Sequence, residues 1–215
     1  MKTSIQRPIL KTNRMSATRS ITLTILFILV NIFSVSAQIP DDPKDIAPLL
    51  IGEQLPDATL LNAKGETINL NDKIKTANTV LVFYRGGWCP YCNRQLSGLV
   101  AAEAKIIELG YQIIAVSPDD YRNISPTTTK NKANYQLYSD PNGTLIQEMG
   151  VGFTTAPKTF NYISKKTIGE TTKVLPVPTV LVLNKKGEIL FEYISPNYKQ
   201  RISPKLLLAV LENLK

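Results

Sequence analysis

Histidine is missing from all 215 residues of the chain. That single absence excludes Ser-His-Asp and Cys-His catalysis, the usual imidazole general base and the commonest metal ligand. Cysteine is almost as scarce, with only Cys89 and Cys92 present. A structural zinc needs four ligands, which two thiolates without an imidazole cannot supply, so neither a metal nor another cofactor is expected. No cysteine follows the amino-terminal apolar run to carry a lipid. Asp and Glu are absent before Gln38, whereas Lys2, Arg7, Lys11, Arg14 and Arg19 all lie there; without those five the formal charge drops from +8 to +3. The basic excess is therefore local, and nucleic-acid binding is not expected of the rest. No internal repeat or low-complexity tract is present.

The amino-terminal charge belongs to a recognisable pattern. A basic stretch to residue 20 precedes the apolar run 21–36, and Val35-Ser36-Ala37 offers small residues for cleavage after Ala37, so 1–37 reads as a secretory signal peptide and the chain as exported, to a bacterial periplasm or the extracellular side. The rival is an uncleaved membrane anchor. Against it, the run is shorter than the ~20 residues needed to span and contains Asn31. Met15 offers an alternative start. Residues 38–48, rich in Pro and Asp, read as a flexible lead-in, and a single domain is expected over 49–215.

Within that domain, Ala58–Leu61 and Thr67–Leu70 flank the turn Asn62-Ala63-Lys64-Gly65 and predict a β-hairpin. Thr79–Tyr84 is a continuous apolar, β-branched run, the mark of a strand covered on both faces. Leu96, Leu99, Val100, Ile106 and Ile107 recur at helical spacing over 91–109, Gly110 supplies a stop, and Tyr111–Ser117 reads as a second buried strand. Strand, helix and strand in that order demand a right-handed crossover and a parallel pair. Ser125-Pro126 suggests a helix start, Gln136–Tyr138 a short strand, and Asp140–Gly143 a turn into a helix ending near Met149. Residues 150–175 read as irregular. Val180–Leu183 and Ile189–Tyr193 form a second hairpin, and Ser203-Pro204 opens a final helix. The class is α/β, with a central mixed sheet flanked by helices.

The chemistry lies in Cys89-Pro90-Tyr91-Cys92, at the junction of the buried strand with the following helix. There, free backbone N–H groups and the helix dipole stabilise a thiolate. Trp88 and Pro90 limit the backbone and shield one face, leaving Cys89 as the more exposed sulfur at an accessible helix tip and Cys92 as its resolving partner. A merely structural disulfide across four residues would contribute roughly 2 kcal/mol, against ~3 for a fifteen-residue loop. CxxC in this context reads as a thioredoxin-like redox pair. Val177-Pro178-Thr179 stands before a buried strand; a cis Pro178 would lie against the pair and let Val177 bind an incoming substrate chain.

From Ile51 to Leu214 the chain resembles the peroxiredoxin and alkyl hydroperoxide reductase–thiol-specific antioxidant family of the thioredoxin superfamily, through FYRGGWCPYCNRQL, IIAVSPDD, LYSDPNG and VPTVLVLNKKGEIL. The resemblance places Cys92 at the peroxidatic position, Gln95 at the glutamate or glutamine after it, and Cys89 at a threonine. The motif proline is replaced by Arg85, and the family's arginine before the late strand by Val177-Pro178, so Arg85 would be the substitute cation polarising the O–O bond. It implies a thiol peroxidase acting on hydrogen peroxide or organic hydroperoxides and regenerated by a thioredoxin-type dithiol. The alternative is an oxidoreductase whose Cys89 attacks protein disulfides. A third reading is a non-catalytic binding module with 150–175 as partner surface.

Overall fold

The computed structural model describes residues 38–214, so the expected signal segment lies outside the described residues. The strands are β1 (Thr59–Leu61), β2 (Thr67–Asn69), β3 (Asn78–Phe83), β4 (Tyr111–Ser117), β5 (Gln136–Ser139), β6 (Gly152–Thr154), β7 (Val174–Pro176), β8 (Thr179–Leu183) and β9 (Ile189–Ile194). The helices are α1 (Leu70–Ile74), α2 (Pro90–Glu108), α3 (Ile124–Asn131), α4 (Thr144–Glu148), α5 (Pro157–Ser164) and α6 (Pro204–Asn213). Seven strands form one mixed sheet in the order β2-β1-β5-β4-β3-β8-β9. The β3–β4 and β4–β5 pairs are parallel, and β8 and β9 return antiparallel on the far side.

The side-chain alternation of a strand explains how one apolar run serves two cores. Val80 and Val82 of β3 join Ala115, Val180, Val182, Leu96, Leu99 and Ile106 under α2 and α6. Leu81 and Phe83 point the other way, to Ile114, Val116, Leu181, Leu70, Ile74 and Leu145. Burial on both faces is what fixes β3 in the middle of the sheet, and α2 is anchored to it at once. Pro90 at the first helical position presets φ, and the helix buries one stripe, including Cys92, Leu96, Leu99 and Ile106. It stops where Gly110 takes φ +88.

Four expectations are corrected. Residues 150–175 are not irregular: β6 and β7 pair with each other, Gly152 opposite Pro176, with α5 between them. Three-residue strands containing Gly or Pro leave no period to read. Helix α3 begins at Ile124, one residue ahead of Ser125, because a 3-10 turn over Tyr121–Asn123 runs straight into it. The lead-in begins to pack as early as Ile39, which lies against the second core, while Pro40 accepts a hydrogen bond from the Thr154 amide at 2.8 Å. Gly150 at φ +65 allows that segment to pass close, since a Cβ there would sit 1.8 Å from the Ala47 carbonyl oxygen. Finally, Pro178 follows a trans peptide bond: no cis bond occurs among the described residues.

Candidate active site

Helix α2 starts where β3 runs out, at the C-terminal end of the parallel pair. Arg85-Gly86-Gly87-Trp88 makes the turn between them, and its two glycines are required by space as well as by conformation. Gly86 adopts φ +145. A Cβ on Gly87 would come within 2.0 Å of the Thr127 Oγ1, so only glycine lets the turn press against α3. Gly87 is then held from both sides: its N–H donates to Asp119 Oδ2 at 2.8 Å, and its carbonyl accepts from Asn93 Nδ2 at 2.9 Å. Asn131 of α3 donates to Asn93 in turn, at 3.1 Å.

This clamp fixes Cys89 as the N-cap of α2, with Cys92 in the first turn. Both are reduced. The neighbouring Cys92 thiol and amide, with the Arg85 and Arg201 charges, favour a Cys89 thiolate against burial and bring the Cys89 thiol down to about 6. Cys92 moves the opposite way: burial and the neighbouring negative sulfur push its thiol well above the ordinary range. The pair thus holds one proton firmly and gives up the other readily, and the resting charge sits on Cys89.

Contrary to the expected accessible helix tip, Cys89 is 1% and Cys92 0% exposed. The covering comes from a stack that sequence spacing does not reveal. The Arg85 guanidinium lies 5.1 Å from the Trp88 ring centre and 4.9 Å from that of Tyr198, and Tyr198 meets Tyr91 edge-on. Tyr198 belongs to the loop that follows β9, and the same loop delivers Arg201. Arg201 is anchored to the carbonyls of Tyr198 and Gln200 and places Nη2 3.4 Å from the Cys92 sulfur. Among the described residues neither Arg85 nor Arg201 is paired with a carboxylate, and the Nε of each is buried without a partner. Two cations with free donors therefore surround a dithiol that carries one negative charge.

On the other side of the turn Asp119 is buried, and burial raises its carboxyl to about 6 against the opposing Gly87 N–H. The Trp88 ring N–H is near the same carboxylate without making a hydrogen bond. Asp119 faces a cavity of about 350 Å³ that it shares with Trp88, Lys130, Tyr162 and Lys166.

Of the residues expected at the site, Cys89, Cys92, Arg85 and Trp88 come together. Val177, Pro178 and Thr179 reach the adjacent end of β8, where Thr179 pairs with Phe83. Their backbone is not free for a substrate chain, which corrects that reading. The Val177 N–H donates to the Val151 carbonyl at 3.0 Å, its own carbonyl accepts from Thr179 Oγ1, and the Pro178 carbonyl accepts from the Ser195 amide. Arg201, Tyr198 and Asp119 stand at the site without being expected from the sequence. Asp119 carried a signal, since it sits in IIAVSPDD at the carboxyl end of a parallel strand, where α/β sheets gather their sites; the other two, about 110 residues from Cys89, carried none.

Comparison with known proteins agrees with this architecture. The AhpC/TSA family model matches residues 51–191. A putative peroxiredoxin bcp of Haemophilus influenzae is 30% identical over 104 residues, 48% of this chain and 66% of that protein. Peroxiredoxin bcp1 of Schizosaccharomyces pombe is 30% identical over 100 residues, 46% of this chain and 51% of that one. The matches thus span two thirds or less of these relatives' own length. Among solved structures, peroxidoxin BcpB from Mycobacterium tuberculosis superposes with a TM-score of 0.61 at 20% identity, covering 77% of this chain and 97% of that one. Reduced Prx3 from Vibrio vulnificus in complex with H2O2 gives 0.65 at 17%, covering 76% and 99%. At such identities the likeness shows the fold.

Proposed function

The chain belongs to the AhpC/TSA family, and from that premise we propose that it is a thiol-dependent peroxidase working through Cys89 and Cys92. The observation that carries the reading is the easily ionised Cys89 beside Cys92, whose sulfur lies 3.4 Å from the Arg201 guanidinium, with Arg85 and Arg201 both free of carboxylate partners among the described residues. Against the peroxidatic position that the resemblance gives Cys92, the readily ionised Cys89 is the nucleophile here: its thiolate attacks the distal oxygen of a hydroperoxide, an S–O bond forms, the O–O bond breaks, and the alkoxide or hydroxide leaves and takes up a proton. Sulfur is oxidised to a sulfenic acid and the peroxide reduced to an alcohol or water. The Cys92 thiol then condenses with the sulfenic acid, releasing water and forming the disulfide, and an external thioredoxin-type dithiol restores both thiols.

The family's arginine before the late strand is absent here, and Arg201 supports the same task from the loop after β9. With Arg85 it supplies fixed positive charge where negative charge develops on the leaving oxygen, an arrangement worth roughly a hundredfold or more in rate. The amino-terminal pattern supports an exported location. Protein-disulfide exchange is the less favoured use of the same pair, because it needs a cleft for an incoming chain and Val177 has none to offer.

The test supplies purified protein with a thioredoxin system and follows hydrogen peroxide and insulin disulfides in parallel. Peroxide is expected to disappear, with Arg85→Ala and Arg201→Ala each slowing its turnover far more than disulfide exchange. Persistent peroxide together with rapid insulin reduction would reject the peroxidase.

A further inference from the structure

A second cavity, of about 240 Å³, lies between the first turns of α2 and the loop that brings in Arg201. Its position relative to the dithiol is set by two residues. Arg201 lines it while touching the Cys92 sulfur, and Gln95 stands one helical turn beyond Cys92. Gln95 is 8% exposed, and its side-chain Oε1 is buried without a hydrogen-bond partner. A buried amide left unpaired is costly, which makes it a place where a ligand's polar group is expected.

The remaining lining divides by chemistry. Leu99, Ile202, Pro204 and the Tyr91 ring give apolar walls, whereas Arg94 and Lys199 are exposed at the rim. Neither cation is paired with a carboxylate among the described residues, nor is Arg201 within the same cavity, and no acidic side chain lines it. Three positive charges around one apolar pocket, with nothing negative to balance them, describe a receptor for a compact amphiphilic anion. The volume accommodates a ring or short chain rather than a protein segment.

We infer that this cavity binds an organic hydroperoxide bearing a carboxylate at the end remote from its O–O bond, with Arg94 and Lys199 holding the carboxylate and the apolar walls its hydrocarbon. The inference rests on the peroxidase reading for the reacting end alone. The hydroperoxide group points inward, past Gln95 and Arg201, toward the dithiol. The covalent step is the one already given: sulfur gains the distal oxygen, and the alkoxide left on the substrate takes up a proton.

Two isosteric pairs test it on the whole protein. The first is 4-isopropylbenzoate and its neutral amide, neither of which reacts, titrated into the reduced protein by calorimetry. The second is cumene hydroperoxide and its 4-carboxylated form, compared by kcat/KM. The acid is expected to bind at least roughly tenfold more tightly than the amide, as one strong charge-assisted contact gives. The carboxylated hydroperoxide should be preferred by a similar factor. Both ratios should fall to near one in the Arg94→Gln/Lys199→Gln double variant and be restored largely in Arg94→Lys. Ratios near one in the unaltered protein, or ratios that survive the double substitution, overturn the inference. If neither hydroperoxide is consumed, the peroxidase reading fails, and acid binding still decides the cavity by itself.

Discussion

Replacing Cys92 by alanine probes the charge distribution on which the proposed chemistry stands. The largest contribution that lowers the Cys89 thiol is the hydrogen bond from the Cys92 side chain, ahead of the Cys92 amide and the two arginines. A hydrogen bond to a charged group contributes roughly 1.5–3 kcal/mol, and a pKa unit corresponds to 1.36 kcal/mol, so its loss should move Cys89 from about 6 to about 7 or 8. At pH 7 the reduced wild type should then carry about 90% thiolate on Cys89, against about 3% for an ordinary cysteine. The assay is thiolate absorbance near 240 nm against pH, cross-checked by the pH dependence of alkylation. Cys92→Ser, which keeps a donor, should fall between wild type and Cys92→Ala. Cys89→Ser should lose the low-pH titration altogether. A Cys89→Ser protein that still titrates near 6 would put the charge on Cys92 and reverse the two roles. Because the folded value lies below the unfolded one, the thiolate adds stability above the ordinary thiol range, and that increment disappears as pH falls through about 6.

Asp119 acts with the opposite sign: its folded value is raised to about 6, so ionising it costs stability as pH rises from the ordinary carboxylate range through that value. Asp119→Asn, which can still accept from the Gly87 amide, should lack this decline and gain up to about 3 kcal/mol relative to wild type between pH 4 and 7; parallel urea titrations check it, and equal slopes would reject a buried carboxylate. Gly150→Ala places a Cβ against the Ala47 carbonyl in a backbone conformation that disfavours side chains. It should cost about 1–3 kcal/mol and open residues 39–48 to limited proteolysis, while an unchanged cleavage pattern would mean that this segment is not docked as described.

The sequence by itself determined where Cys89 and Cys92 stand, the strand and helix that carry them, and the two-faced core. Cys89 and Cys92 lie beside a continuous apolar strand and a helix of regular period, and short-range periodicity survives any tertiary arrangement. It determined both hairpins too, because Asn62–Gly65 and Asn184–Gly187 carry their turn chemistry locally. Only the tertiary structure decided that the sulfurs are sealed from solvent, that Arg201 and Tyr198 arrive from the loop after β9, and that Val177 spends its backbone N–H on Val151. Those contacts join residues that are far apart in the chain. Loop positions carry no periodic signal, and which cation comes to rest against a thiol is settled by the closure of the sheet around it.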